Sequence, residues 1–192
     1  SVFRLAGNHF PSKPIYVMNP HYQRAMQDYS LNQFLALAKT PPLDIEICDV
    51  TLRDGEQMPG VVFRADEKLD IALRLDEIGV EVIEAGFPVV SAAEMNAVKE
   101  ICNLGLDAKI SALSRSVKKD VDAAIECGVD MISVFIATSD LHLKYKLHMS
   151  CPEAISCALQ TVEYAKEHGL IVRFSAEDAT RTDFEVLKKL YR

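Results

Sequence analysis

One stretch of the sequence places an arginine beside a carboxylate in a way that could do chemistry. Residues 49–57 read Asp-Val-Thr-Leu-Arg-Asp-Gly-Glu-Gln, and the Pro-Gly pair at 59–60 prolongs the turn that Gly55 opens. The carboxylate of Asp54 could hold a divalent cation, because such cations prefer oxygen ligands. The guanidinium of Arg53 could stabilise a developing oxyanion. Spacing alone favours the simpler interpretation, a salt bridge between these two side chains within a loop.

The elements that must position this stretch repeat along the chain after residue 43. Ile45–Val50 predicts the first strand, and four more strands are predicted where a glycine ends a helical pattern and opens an apolar run. Those glycines are Gly79, Gly105, Gly128 and Gly169. Pro152 fits the first turn of one intervening helix, and a last helix is predicted to begin near Asp183. Strands that alternate with helices in this way predict a parallel α/β sheet with right-handed crossovers.

Two parallel architectures compete, an open doubly wound sheet and a closed barrel. No G-x-G-x-x-G follows the first strand, which weakens the dinucleotide-binding version of the open sheet. Polar residues gather at the end of every predicted strand, at 51–54, 84–86, 114–115, 138–140 and 177–178. In a barrel all these strand ends meet at one mouth, which is where active sites form. We therefore predict the N-terminal portion of a (β/α)8 TIM barrel, about five of its β/α units, over residues 44–192.

The first 43 residues differ in composition from the rest. They contain five of the eight prolines and one short helical candidate around Leu31–Ala38. We interpret residues 1–43 as an N-terminal extension or arm that packs on something, a neighbouring subunit being one option. A parallel arc of about five strands would leave sheet edges exposed. We therefore expect the chain to be a fragment, a truncated product or part of an assembly that completes it.

Composition excludes several classes of protein. The formal net charge of −7 argues against a nucleic-acid partner, which normally meets a basic face. No apolar run reaches the roughly 18–20 residues that span a bilayer, and the start of the chain lacks a signal-peptide pattern, so no membrane partner is expected. The five cysteines are odd in number and form no C-x-x-C, which is typical of a reducing cytoplasm and not of a disulfide framework.

The stretch at 49–57 resembles the signature of the isopropylmalate synthase, homocitrate synthase and citramalate synthase family, which are metal-dependent barrel acyltransferases. The match continues through residues 59–63, 84–88, 135–142 and 174–181, so it covers roughly residues 45–192. Glu56 and Gln57 are similar to the synthases rather than to the related lyases that cleave hydroxymethylglutaryl-CoA.

The resemblance implies roles for eight residues. Arg53 and Glu177 match catalytic groups, and Asp54 matches a metal-binding carboxylate. Contacts with the substrate are implied for Gln57, Glu84, Ser139, Arg173 and Ser175. Within this set, Glu84 could instead orient Arg53. Arg173 alternates onto the strand face of Ser175, so it could bind a second substrate carboxylate or be a buried structural arginine.

The activity implied is a Claisen-type condensation of acetyl-CoA with a 2-oxo acid in amino-acid biosynthesis, leucine biosynthesis included. A divalent metal ion, Mg, Mn or Zn, would polarise the ketone of the 2-oxo acid. A homodimer is implied as well. The sequence departs from the family at two points, since its five histidines form no His-x-His pair and Ser133 stands where many synthases carry a histidine. The absent His pair favours the alternative for this chain by itself, a truncated and inactive homologue that acts as an interaction partner or persists as a fragment. The retained Arg53, Asp54 and Glu177 favour an enzyme, which is the interpretation we keep.

Three further side chains carry weaker signals. His142 matches a common family position after the fourth strand, although a lone loop histidine is more often a hydrogen-bonding residue than a catalytic one. Lys144 and Lys146 could meet the phosphates of CoA or simply form a solvated face.

Overall fold

A computed structural model describes residues 45–191 as strands that alternate with helices. The strands are β1 Cys48–Asp49, β2 Val82–Gly86, β3 Lys109–Arg115, β4 Met131–Ala137 and β5 Ile171–Glu177. The helices are α1 Ala65–Glu77, α2 Ala92–Cys102, α3 Lys118–Cys127, α4 Cys151–Glu167 and α5 Phe184–Leu190. The arm predicted over residues 1–43, with its helical candidate around Leu31–Ala38, lies outside the described residues.

The five strands form one parallel sheet in which each strand lies beside its predecessor in the chain, in the order β1-β2-β3-β4-β5. A doubly wound sheet would reverse its strand order at a switch point. Sequential parallel neighbours with a helix after each strand are instead the arrangement of a barrel wall. The prediction of an N-terminal barrel portion of about five β/α units is therefore confirmed, as a half-barrel.

The four predicted strand-opening glycines have the left-handed backbone that the sequence pattern requires. Their φ angles are 83° at Gly79, 70° at Gly105, 79° at Gly128 and 82° at Gly169. A residue with a side chain is strained in this conformation, so glycine lets each helix stop and the chain turn back toward the sheet. Strands β2–β5 begin two to four residues after these glycines and extend further than the apolar runs predicted. Strand β1 is instead shorter than the predicted Ile45–Val50, since it spans Cys48–Asp49 and the N–H of Ile47 donates to the side chain of Glu81.

The helix boundaries follow from identifiable caps. Ser150 caps α4 by accepting the N–H of Glu153, whose side chain accepts the N–H of Ser150 in return, and Pro152 lies in the first turn as predicted. Asp183 caps α5 through the N–H groups of Glu185 and Val186, which confirms the predicted start of the last helix. Among the described helices, none combines the length and apolar character needed to cross a bilayer.

The core lies between the sheet and the helices that cover its outer face. Large side chains on the strands, such as Ile83 and Ile132, are fully buried there. The helices meet them with small residues, since Ala72, Ala124 and Ala165 are fully buried on α1, α3 and α4. Small residues let the helices approach the sheet closely, and truncating one of the buried isoleucines to alanine would cost about 2–5 kcal/mol. This packing fixes the strand ends that carry the polar residues.

Candidate active site

A cleft of about 320 Å³ lies along the inner face of the sheet at the carboxyl ends of the strands. Every strand or its following turn contributes to it, and its lining residues are Arg53, Gln57, Glu84, Leu113, Ser133, Phe135, Arg173, Ser175 and Glu177. Six of the eight predicted site residues are therefore brought together in one place. The other two, Asp54 and Ser139, are not part of the lining.

The inner end of the cleft is organised around one carboxylate. The side chain of Glu84 is fully buried, and each of its oxygens accepts a hydrogen bond from a different arginine. Arg53 donates through Nε to Oε2 at 2.6 Å, and Arg173 donates through a terminal nitrogen to Oε1, also at 2.6 Å. The other terminal nitrogen of Arg173 lies 3.1 Å from the sulfur of Cys48 on β1. Strands β1, β2 and β5 thus hold the two guanidinium groups in fixed positions.

The two guanidinium groups at the inner end of the cleft keep donors that could meet an anion. Both donate to the carboxylate of Glu84, and Arg53 also pairs with the exposed carboxylate of Asp54 at 2.7 Å. The side chains of Arg53 and Arg173 are 20% and 35% exposed, so both still reach the solvent of the cleft. Each guanidinium has five N–H donors, more than these contacts use. The remaining donors suit a planar, bidentate partner such as a carboxylate.

An irregularity in the sheet lies directly beside Glu84. Pairing of β2 with β3 shifts between Glu84, which faces Ser111, and Gly86, which faces Ala112. The extra residue in β2 is a bulge, and bulges bend a strand and re-aim its side chains. The bulge accompanies the turn of the Glu84 carboxylate toward Arg53 and Arg173.

Strand β5 presents three of the predicted residues on the same face. Arg173, Ser175 and Glu177 alternate along the strand, as side chains on a strand do, and all three line the cleft. Lys146 holds both oxygens of Glu177, at 2.6 and 2.8 Å. Lys146 lies in the turn Leu143–Leu147 between β4 and α4, so this ion pair fixes the orientation of the Glu177 carboxylate at the outer end of the cleft.

Ser139 points away from the cleft. It is buried, its hydroxyl donates to Asp178, and the same oxygen accepts the backbone N–H of His142 at 3.3 Å. Hydrogen bonds from Arg181 and then from Ser139 hold the pKa of the Asp178 carboxyl below its usual range. The imidazole of His142 lies 3.9 Å from both the Glu177 and the Asp178 carboxylates, beyond hydrogen-bond distance. These residues brace the ends of β4 and β5 behind the cleft.

The metal-binding expectation rests on Asp54, whose side chain is 58% exposed and accepts a hydrogen bond from Arg53 at 2.7 Å. Within residues 45–191, no three His, Cys, Asp or Glu side chains come together as a set that could hold a metal ion. A divalent cation needs several ligands, so the described residues do not make a complete metal site. Asp54 alone could contribute one oxygen to such a site.

Four lining or supporting residues were not predicted as part of the site, and one of them is Ser133, noted from the sequence only as a departure from the family. Leu113 and Phe135 line the cleft, but apolar residues in a strand carry no signal that separates a cleft wall from a core. Lys68 is buried beneath the turn that carries Gln57. It could have been found, because it lies four residues before the fully buried Ala72 and so shares the apolar face of α1, where a lysine is unusual.

Several known proteins are similar to this chain in sequence. The HMGL-like family matches residues 44–192. A homocitrate synthase from Methanosarcina mazei is 58% identical over 166 residues, which cover 86% of this chain and 41% of that protein. A 2-isopropylmalate synthase from Methanocaldococcus jannaschii is 58% identical over 151 residues, which cover 79% of this chain and 29% of that protein. The chain therefore spans less than half the length of these relatives.

Two solved structures have the same fold at low sequence identity. The HMG-CoA lyase from Bacillus subtilis aligns with a TM-score of 0.65 at 21% identity, covering 78% of this chain and 54% of the lyase. The HMG-CoA lyase from Brucella melitensis aligns with a TM-score of 0.61 at 21% identity, covering 77% of this chain and 56% of the lyase. The half-barrel is thus the architecture of the corresponding part of these lyases.

Proposed function

Because this chain belongs to the HMGL-like family, we propose that its cleft binds a 2-oxo acid and takes part in the condensation of that acid with acetyl-CoA. Two relatives of more than half identity support the proposal, since their names are homocitrate synthase and 2-isopropylmalate synthase. Both names describe products that arise when the methyl carbon of an acetyl group adds to the ketone of a 2-oxo acid. The protein is accordingly proposed to be an acyltransferase of amino-acid biosynthesis.

The observation that carries this proposal is the pair of guanidinium groups on Glu84. A 2-oxo acid brings at least one carboxylate, and its ketone oxygen becomes negative as the new carbon–carbon bond forms. Arg53, which lines the cleft just after β1, is proposed to stabilise that oxygen, and preorganised donors of this kind are a major source of rate enhancement. Glu84 holds Arg53 in place before the substrate arrives, so little reorganisation is needed.

We further propose that the substrate is a dicarboxylic 2-oxo acid, of which 2-oxoglutarate is the simplest case consistent with a homocitrate synthase relative. Arg173 lies on the same face of β5 as Ser175 and reaches into the cleft. A guanidinium in this position can bind a second carboxylate with two parallel hydrogen bonds. The branched alkyl group of 2-oxoisovalerate would instead face the remaining N–H donors of Arg173 with an apolar surface, which is costly at a partly buried site.

The proposed reaction assigns proton transfer to Glu177. A proton leaves the acetyl methyl carbon, the resulting enolate carbon bonds to the keto carbon, and the keto oxygen takes up a proton to become a hydroxyl. Glu177 is the cleft carboxylate that we assign to accept the first proton, with Lys146 orienting it through both oxygens. Gln57 and Ser175 are proposed to hydrogen-bond the substrate. Water then hydrolyses the thioester, which releases CoA.

Some parts of the proposal reach beyond the described residues. Asp54 is proposed as one oxygen ligand of a divalent metal ion, Mg, Mn or Zn, whose other ligands lie outside residues 45–191. Residues 1–43 are proposed to form an arm, with residues 44–192 as part of the barrel domain. The complete protein is proposed to be a cytoplasmic homodimer.

The proposal is tested by measuring free thiol released from acetyl-CoA by the complete gene product with added Mg²⁺ or Mn²⁺. The panel of acids is 2-oxoglutarate, 2-oxoisovalerate and pyruvate. We expect release with 2-oxoglutarate that is abolished by a chelator. Release with only 2-oxoisovalerate or pyruvate would keep the condensation and overturn the dicarboxylic substrate. No release with any acid would favour the inactive homologue instead.

A further inference from the structure

A buried lysine joins the two segments that carry Arg53 and Glu84. Lys68 projects from α1 with its side chain only 3% exposed, and its ammonium lies 2.6 Å from Glu56 and 2.5 Å from Glu94. We call these three residues the Lys68 cluster. Glu56 belongs to the turn Gly55–Gln57 after β1, and Glu94 lies in the first turn of α2, after β2. None of the three lines the cleft, and the reaction proposed above does not use them.

Each glutamate also caps a backbone group with its second oxygen. Glu56 Oε1 accepts the N–H of Phe63 at 3.0 Å, and Glu94 Oε1 accepts the N–H of Phe87 at 3.1 Å. The Lys68 cluster therefore anchors two loops at once, one on each side of α1. Phe87 directly follows the last residue of β2, the strand that carries Glu84.

Gly86 shows how closely this anchor approaches the sheet. A Cβ atom at this position would lie 3.1 Å from a methyl carbon of Val98, closer than ordinary van der Waals contact, and would clash directly with Oε1 of Glu94. Only glycine leaves room for the Glu94 carboxylate against the end of β2. In the turn after β1, two neighbouring side chains point to opposite sides. Glu56 contacts Lys68 of α1, while Gln57 lines the cleft. Fixing Glu56 thus fixes the backbone of a cleft residue.

The lysine is charged in this setting. Burial alone lowers the pKa of the Lys68 ammonium, but the hydrogen bonds that it donates to Glu56 and then to Glu94 outweigh burial and raise the pKa above its ordinary value. Buried ion pairs of this kind are weak evidence for stability, since well-packed apolar residues often stabilise a fold as much or more. Their better-attested use is to specify one arrangement among several. The arrangement specified here is the relative position of two loops at the cleft.

We infer that Lys68 is a positioning residue of the site. Through Glu56 it holds the segment after β1, which carries Arg53 and Gln57. Through Glu94 it holds that segment in a fixed position relative to the end of β2, which carries Glu84. This inference rests on the proposed function for its catalytic consequence, but its structural part does not. Misplacing a substrate-positioning group by about 1 Å can cost on the order of a hundredfold in rate. Lys68 is therefore expected to matter for turnover without touching the substrate.

The test compares the complete protein with two variants. The triple variant E56Q/K68M/E94Q removes all three charges of the Lys68 cluster, so no buried charge is left without a partner and the protein can fold. The control variant K99M/E126Q removes an ion pair that also joins two elements, α2 and α3, at a similar distance of 2.7 Å but at a more exposed site. The measurements are the thermal midpoint, CoA release, and hydrogen exchange of the amides of Phe63 and Phe87.

In the triple variant we expect a thermal midpoint within a few degrees of the parent, about a hundredfold lower kcat, and a KM for acetyl-CoA changed by less than about threefold. Exchange of both amides should be faster by about tenfold or more, because the loops open locally. The control should match the parent in all four quantities. Unchanged kcat, unchanged exchange, or a midpoint lowered by tens of degrees would each overturn the positioning role. If the parent releases no CoA with any acid, the proposed function fails, while the exchange rates still decide whether Lys68 joins the two loops.

Discussion

Arg53 donates to Glu84 across two neighbouring strand ends, with 2.6 Å between Nε and Oε2. Glu84 is completely buried, and its other oxygen accepts from Arg173, so the carboxylate depends on both arginines for its hydrogen bonds. The contact joins a residue of the sequence motif to one that lies 31 positions away. Arg53, the arginine of the sequence motif, therefore depends on a partner from the next strand, Glu84.

Replacing Glu84 with glutamine should therefore damage both activity and stability. A glutamine amide keeps one acceptor oxygen but turns an N–H₂ donor toward the second guanidinium, so one buried hydrogen bond is lost. We expect the free energy of unfolding to fall by about 1–3 kcal/mol, measured by urea denaturation, and CoA release to fall at least about tenfold. The control is Glu77→Gln, which breaks an exposed pair with Arg74 and should change stability by less than about 0.5 kcal/mol. Equal stability of Glu84→Gln and the parent would contradict the expectation.

Arg53 should be more sensitive than any other residue of the cleft to loss of its charge. We expect Arg53→Ala to lower kcat about a hundred- to a thousandfold, because it removes a preorganised donor to the developing oxyanion. Arg53→Lys should recover little of the loss, since a single ammonium cannot contact Glu84 and Asp54 at once as the planar guanidinium does. The exposed Arg74→Ala serves as control. A lysine variant with parent-like kcat would show that charge alone suffices.

Arg173 should decide which acid is accepted. In Arg173→Met we expect kcat/KM for 2-oxoglutarate to fall about 10- to 100-fold, as for the loss of charged hydrogen bonds, with no fall for 2-oxoisovalerate. Steady-state kinetics on both acids gives the comparison. Equal losses for the two acids would mean that Arg173 acts only through its bonds to Glu84 and Cys48, the structural alternative that the sequence leaves open.

The sequence predicted the scaffold well because the scaffold is encoded locally. Gly128 ends α3, and Pro152 lies in the first turn of α4. Each residue acts through its own backbone preference, which does not depend on contacts with distant residues. Arg173 was placed beside Ser175 by strand alternation alone. The lengths of β2, β3 and β5 are underestimated because the polar residues that continue these strands look like loop residues until their partners are known. The length of β1 is overestimated, since only Cys48–Asp49 pair as a strand.

The contacts that organise the site could not be predicted, because they join residues that are remote in sequence. Lys146 meets Glu177 across 31 positions, and Lys68 meets Glu94 across 26. Composition and periodicity do not determine such pairs, which depend on how neighbouring β/α units pack. Ser139 is a residue whose local role was missed. A serine before an aspartate at a strand end is also a helix-cap signal, and the hydroxyl of Ser139 caps the short helix Asp140–His142.

Asp54 should contribute to metal binding only as one ligand among several. In the complete protein we expect Asp54→Asn to weaken Mn²⁺ binding about tenfold or more, measured by titration calorimetry without substrate. Asp66→Asn is the matched control, since this carboxylate is similarly exposed and also paired with a neighbouring arginine. Identical Mn²⁺ affinity of Asp54→Asn and the parent would place the metal, if bound, elsewhere.

Cys102 and Cys127 should be the least reactive thiols among residues 45–191. Burial, the largest cause for both, raises the pKa of Cys102 from 9.0 to about 12 and the pKa of Cys127 from 9.0 to about 11. Only the thiolate reacts with alkylating reagents, so both cysteines stay protonated in the folded protein at pH 8.

Labelling with iodoacetamide at pH 8, followed by peptide mass spectrometry, should therefore modify Cys151 and Cys157 before Cys102 and Cys127. The same shifts have a consequence for stability, because an unfolded thiol ionises near pH 9 while the folded one keeps its proton. The stabilisation that comes from keeping these two thiols protonated in the folded protein is complete below about pH 9 and is lost as the pH rises toward 11–12. The midpoint of urea denaturation should accordingly decrease between pH 8.5 and pH 10.5. Rapid labelling of Cys127 in the folded protein at pH 8 would contradict the raised pKa of this thiol.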